Sequence, residues 1–197
     1  IYSANKYFKF QIGNRISYFS STEKFYNAPR LSILIKPTKK ITLELTYNKV
    51  YQFLHKKNKI GSTYASQDIW LMSSNKIPEA ESINTSFGAY IDKKSFSISA
   101  SIYNKYYKNI FLLNKSFYES IDVDLKNKLK SIDIEIGTGK SLGLEFFARK
   151  KNGFFTGWVS YSVNKSLHNF KNLNNSADYT PDHNRLHELK TFALLKI

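Results

Sequence analysis

Apolar and polar residues alternate one for one over much of this chain. Ile41, Leu43, Leu45 and Tyr47 are interleaved with Thr42, Glu44, Thr46 and Asn48. A period of two places each set on its own face of a β-strand. The same pattern runs through Phe8, Phe10, Ile12, Ile16 and Tyr18, set against Lys9, Gln11, Gly13, Arg15 and Ser17. It shortens at Leu31, Ile33 and Ile35, where Pro37, lacking an N–H for a ladder, is expected to end the strand. It returns at Ile83, Thr85, Phe87, Ala89 and Ile91, and again at Phe96, Ile98, Ala100 and Ile102. The stretch from Gly139 to Ser166 then predicts two strands. Leu142, Leu144, Phe146 and Ala148 mark the first; Phe155, Gly157, Val159, Tyr161 and Val163 mark the second. Between them Asn152-Gly153 predicts a tight hairpin turn. A last strand is expected from near Leu186.

The connections alternate in length. Pro37-Thr38-Lys39-Lys40, Asp92-Lys93-Lys94 and Lys150-Lys151-Asn152-Gly153 are short. Ser20 to Ala28, Leu54 to Glu79, Asn114 to Thr138 and Leu167 to Asn184 carry no period and read as long polar loops. Consecutive hairpins put all short turns at one end and all long loops at the other, the asymmetry of outer-membrane barrels. Several runs also approach the roughly 9–11 residues that cross a bilayer at a tilt. Arg15, Glu44, Glu145 and Arg149 stand in mid-strand opposite apolar faces. A soluble β-sandwich would leave that polar face wet and bury the apolar one; a transmembrane barrel turns the apolar face to lipid and the polar face to a lumen. The expected fold is therefore all-β: an antiparallel up-and-down transmembrane β-barrel, here in part.

Composition narrows the picture further. Aromatic residues make up 16% of 197, nearly all Tyr and Phe, and those near strand ends (Tyr18, Tyr47, Tyr51, Tyr161) suit an interfacial girdle. No apolar run approaches the roughly 20 residues of a membrane helix. Cysteine is absent, which excludes disulfides and thiolate metal sites. The net charge of +15 raises nucleic acid, anionic membrane surface and acidic ligands as partners, but the lysine pairs fall in turns and read as a solvated rim. The chain starts at Ile1 without Met or a signal region and stops at Leu195-Lys196-Ile197 inside an apparent strand. The expectation is an internal piece of a longer protein.

No chemistry-bearing motif survives inspection. Gly137-Thr138-Gly139-Lys140-Ser141 is like the end of a phosphate-binding loop, but Ile134 stands where a Gly is needed and a strand follows instead of a helix. His183 and His187 have helical ligand spacing without a helix, and no third ligand is evident. Asp122, Asp124, Asp133 and Glu135 lie in the second long loop, where a catalytic carboxylate pair or a cation site stays open and a solvated loop is favoured. Lys105-Tyr106-Tyr107-Lys108 mixes base and aromatic as nucleic-acid binders do, yet sits where a barrel would carry its belt and rim. The expectation is neither an enzyme nor a nucleic-acid binder, with no cofactor and no metal.

Several segments together resemble the C-terminal part of the barrel of TonB-dependent outer-membrane receptors of the Bacteroidota type. They are Asn27-Ala28-Pro29-Arg30-Leu31-Ser32, Asp68-Ile69-Trp70 with Ser73-Ser74, Gly137 to Glu145, and Gly157-Trp158-Val159-Ser160-Tyr161-Ser162. Thr180 to Leu189 is similar to the family's Tyr-Asp-Arg-Arg-His signature, with Asn184 in place of Asp and Leu186 in place of the second Arg. Those departures put a polar network at that strand start in question. The resemblance implies about eight strands of a barrel of about 22, with a plugged lumen. It implies uptake, energised through TonB, of a scarce ligand such as an iron chelate, cobalamin or an oligosaccharide. The plug and the TonB-contacting segment would lie in a missing N-terminal part. Outer-membrane lipid and lipopolysaccharide would surround the barrel. The candidate ligand contacts are Tyr64, Gln67, Asp68 and Trp70, in a loop the barrel places outside the cell. The alternative is a surface-binding or adhesive outer-membrane barrel without transport.

Overall fold

The computed structural model describes residues 2–3, 7–58, 68–113 and 134–196. Nine strands form one antiparallel sheet. They are β1 (Tyr2–Ser3), β2 (Phe8–Phe19), β3 (Lys24–Thr38), β4 (Ile41–Gln52), β7 (Ala80–Asp92), β8 (Phe96–Leu113), β9 (Ile134–Lys150), β10 (Phe155–Phe170) and β11 (His187–Leu195). Each pairs with its predecessor in that order, the up-and-down connectivity that consecutive hairpins predict. A separate antiparallel pair, β5 (Leu54–Asn58) and β6 (Asp68–Met72), lies between β4 and β7. The nine-stranded sheet is open: β1 and β11 are its two edges. Among the described residues no helix is long and apolar enough to cross a membrane.

Several expectations need correcting: Ile134 to Thr138 and Leu167 to Phe170 belong to β9 and β10 and not to long loops. Ser20 to Ala28 is not a long loop, because β2 and β3 join through the four residues between Phe19 and Lys24, with Glu23 at φ 53°. Pro37 does not end β3. The ladder with β4 shifts register between Ile35 and Thr38, and Pro37 sits in that irregularity, where no donor is required. Leu54 to Glu79 is not aperiodic throughout, since it contains the β5–β6 hairpin. Asn152-Gly153 does not make a two-residue turn. Lys150 pairs with Gly157, so six residues lie between the last partners; Gly153 takes φ 110° within that connection.

The register aligns the two sets of side chains across the whole sheet. One row runs Ile33, Leu45, Phe87, Ile102, Leu144, Val163. The next runs Ile35, Leu43, Ala89, Ala100, Phe146, Tyr161, Leu189. This face is bare: Ile12 is 79% exposed, Leu45 50% and Leu144 49%. The opposite face holds a polar lattice. Ser32 Oγ donates to Glu44 at 3.0 Å, Thr46 and Ser86 share a hydrogen bond of 2.6 Å, and Asn84 donates to Asn48 at 2.9 Å. Further along, Ser141 Oγ donates to Asn164 at 2.7 Å and Ser166 Oγ to Ser141 at 3.0 Å. Polar groups are thus satisfied on one face while large apolar ones stand uncovered on the other, the inverse of a soluble sheet.

Burial of apolar side chains is concentrated at one end. Tyr26, Ala28, Leu71, Ile77, Phe111 and Phe170 are the buried apolar residues among those described, and all lie toward the long connections. There Tyr26 packs on Tyr51 and Phe53 at 5.1 and 4.8 Å, and Phe53 stacks on Phe19 at 4.6 Å. The middle of the sheet has no such core of its own.

Candidate functional site

Two regions carry chemistry: the long-connection end and the polar face of β2–β4. At the former, β5–β6 presents alternate residues in opposite directions. His55, Leu71 and Ser73 point in; His55 Nε2 and Ser73 Oγ lie 3.0 Å apart, and the His55 ring meets Phe111 edge-on at 4.9 Å. Leu54, Trp70 and Met72 point out, with Trp70 58% exposed and the Lys56 ammonium 6.0 Å from its ring centre. Of the four residues proposed to touch ligand, Trp70 is therefore free to do so. Asp68 opens β6 opposite Asn58. Tyr64 and Gln67 lie outside the described residues.

The connection between β10 and β11 is also organised. A 3-10 turn at Asn174–Ser176 and a bridge between His168 and Tyr179 fold it back on β10. Lys140 Nζ lies 3.0 Å from Asp178, and Asn169 Nδ2 donates to the same carboxylate at 3.0 Å. The Lys140 and Asn169 hydrogen bonds hold the Asp178 carboxyl below its usual pKa. Burial, with the nearby Asp182 carboxylate adding to it, pushes the Tyr179 phenol up. Despite the two signature departures, Asn184 does anchor a network: its Oδ1 accepts from the Ser166 N–H at 3.0 Å and from Asn164 at 3.3 Å. An amide oxygen here accepts as a carboxylate would.

The polar face of β2–β4 holds a groove of about 680 Å³, lined by Gln11, Arg15, Arg30, Ser32, Glu44 and Asn48. Two guanidiniums beside one carboxylate suit a polar or anionic guest. Arg15 and Glu44 were legible as mid-strand charges; that Arg30 joins them depends on the β2–β3 register, which pairs it with Gly13.

The remaining motifs do not assemble. Gly137 to Ser141 lie within β9, with no loop to cradle a phosphate. His187 Nδ1 shares a hydrogen bond of 2.8 Å with Tyr161, while the His183 ring packs 5.7 Å from His168, so the two spaced histidines engage different neighbours. Among the described residues no three His, Asp or Glu side chains could hold a metal. Asp122, Asp124 and Asp133 lie outside the described residues; Glu135 accepts two hydrogen bonds from Asn172. Lys105-Tyr106-Tyr107-Lys108 is divided by the strand, which sends Lys105 and Tyr107 to one face and Tyr106 and Lys108 to the other. No family model and no curated protein matches the chain.

Proposed function

We propose that this chain is part of the barrel wall of an outer-membrane active-transport receptor, which takes up a scarce ligand with energy delivered through TonB. The observation that carries the reading is the bare apolar face spread over consecutive strands, opposite a hydrogen-bonded polar lattice. Lipid is the cover such a face needs, and a lumen suits the lattice. The height of the band agrees. On β9 the outward residues Leu142, Leu144, Phe146 and Ala148 run between Lys140 and Lys150. At about 3.4 Å per residue and a tilt of about 35–45°, that interval rises about 24–28 Å, close to the apolar belt of outer-membrane barrels. Nine strands without closure fit a larger cylinder, and the sequence resemblance supplies about 22 strands as its size. The plug and TonB-contacting segment belong to the remainder of the receptor.

In this reading the β3–β4, β7–β8 and β9–β10 turns face the periplasm, and the four-residue β2–β3 turn, β5–β6 and the β10–β11 connection face outward. Trp70 and Lys56 offer a ring and a cation to ligand, while Arg15 and Arg30 line the lumen. Partners are outer-membrane lipid and lipopolysaccharide, TonB, and a small-molecule or oligosaccharide ligand. The test is made on the full-length protein in its native host. It should fractionate with the outer membrane, migrate faster in gels before boiling than after, and support ligand uptake that is lost when TonB is deleted. A folded outer-membrane barrel whose binding is intact but whose loss or TonB's loss changes no uptake would indicate the non-transporting adhesive alternative.

A further inference from the structure

We infer that the short-turn end of β8–β11 is a binding site for an anionic phospholipid of the inner, periplasmic leaflet. The inference rests on the barrel reading above. A groove of about 700 Å³ opens here. Most of its lining residues belong to one face, while Ser97, Arg149, Trp158 and Phe192, which also line it, form the intervening row that turns to the other. Phe96, Lys150, Gly157 and Ala193 form one cross-strand row, and Ile98, Ala148, Val159 and Thr191 the row beside it. Both rows belong to the apolar face. Gly157, Ala193 and Ala148 make the floor low, and the larger Phe96 and Phe155 line its end. Such a trough accommodates a hydrocarbon chain, which a uniformly large-residue face does not.

The chemistry above the groove fits a phosphate. Three turns bring Lys39-Lys40, Lys93-Lys94 and Lys150-Lys151 to this end of the sheet. Their single carboxylate, Asp92, is taken by Lys151. Lys151 Nζ also donates to the Lys93 carbonyl at 3.2 Å, and Asn152 Nδ2 donates to the Lys94 carbonyl at 3.0 Å. The β7–β8 and β9–β10 turns are thereby locked to each other, and Lys93 is held with its ammonium 5.0 Å from the Phe96 ring centre, above the groove wall. Lys150 lies in the groove itself. Among the described residues neither Lys93 nor Lys150 has a carboxylate partner. Fixed cations over an apolar trough match a headgroup phosphate and its acyl chain together; an acidic protein would need the first and not the second.

The experiment uses the full-length receptor, reconstituted into nanodiscs of phosphatidylglycerol or phosphatidylcholine, released into detergent, and weighed with its retained lipid by native mass spectrometry. Phosphatidylglycerol should be retained in preference. Lys93→Gln with Lys150→Gln should lower its retention about thirtyfold, given the usual contribution of each lysine at an anionic surface. Ala148→Leu, which fills the trough without touching a charge, should lower it too. Heat-modifiable migration of each variant checks that the barrel is intact. Equal retention of the two lipids by a folded barrel, or undiminished retention by the double variant, overturns this inference and leaves the receptor reading standing. Cross-linking from position 93 to an acidic protein in place of lipid also overturns it. A soluble monomer absent from membranes overturns both.

Discussion

An added Cβ at Gly157 would collide with the carbonyl oxygen of Phe192, on the backbone of β11. One at Gly143 would overlap the ring of Tyr103, its cross-strand partner, whose far end can swing aside. One at Gly13 meets only the Arg30 Cβ, at 3.9 Å. Alanine substitutions should therefore rank. Gly157→Ala forces two strands apart and should cost about 1–3 kcal/mol. Gly143→Ala should cost less, and Gly13→Ala should stay within about 0.5 kcal/mol of the parent. Urea unfolding of the protein in vesicles reads the order; equal costs at positions 13 and 157 would show that the β10–β11 contact is not close. A second residue-scale expectation concerns acid. Lys140 and Asn169 lower the Asp178 pKa, so the tether contributes fully above the ordinary carboxylate value. It is lost only as the pH falls through the lowered one. The carboxyl carbon of Asp178 should titrate below ordinary aspartate, and Lys140→Met should bring it back up. Neither feature was legible in the sequence: Gly157 and Gly13 read only as members of the apolar and polar sets, and Lys140 as part of an incomplete phosphate motif.

At the scale of elements, what the sequence revealed and what it hid divide by the source of order. β4, β7, β9 and β10 alternate apolar and polar residues over much of their length, so period two reveals them directly. β5 is Leu-His-Lys-Lys-Asn, with no apolar period, and exists as a strand because β6 pairs with it and its His55 reaches Phe111 on β8. Partners from distant parts of the chain leave no local signal. The start of β3, from Lys24 to Arg30, has no apolar period and contains Pro29, a residue that is unusual in a central strand. Here the ladder to β4 begins only at Arg30, so Pro29 removes no donor from it. The β5–β6 hairpin also yields a test of its two faces. Leu71 is 4% exposed and Trp70 58%. Leu71→Ala should weaken docking of the hairpin by about 2 kcal/mol or more. Trp70→Ala should leave docking within about 0.5 kcal/mol. Limited proteolysis between β4 and β7 reports both. Faster cleavage in Trp70→Ala would make that residue scaffold and remove it as a ligand contact; unchanged cleavage with weakened ligand binding would place it at the ligand.

For the whole molecule, the all-β, up-and-down architecture and the alternation of faces were legible, because both follow from period two and turn spacing. Closure was not, since it depends on strand number and these nine strands stay open. The two faces of the sheet call for different media. Leu45 stands 50% exposed in the apolar rows, and its neighbour Thr46 is hydrogen-bonded to Ser86 in the polar lattice. Placed in a bilayer, a charge at position 45 should cost about 2–4 kcal/mol near the midplane, and one at 46 much less. Contact with lipid itself is measured more directly by attaching a fluorophore to single cysteines at 45, 98 and 144, and at 46, 99 and 145, with a quencher carried on the lipid chains. Quenching is predicted at 45, 98 and 144, with the other three spared. Equal quenching in the two sets, or quenching confined to 46, 99 and 145, would contradict the assignment of the apolar face to lipid.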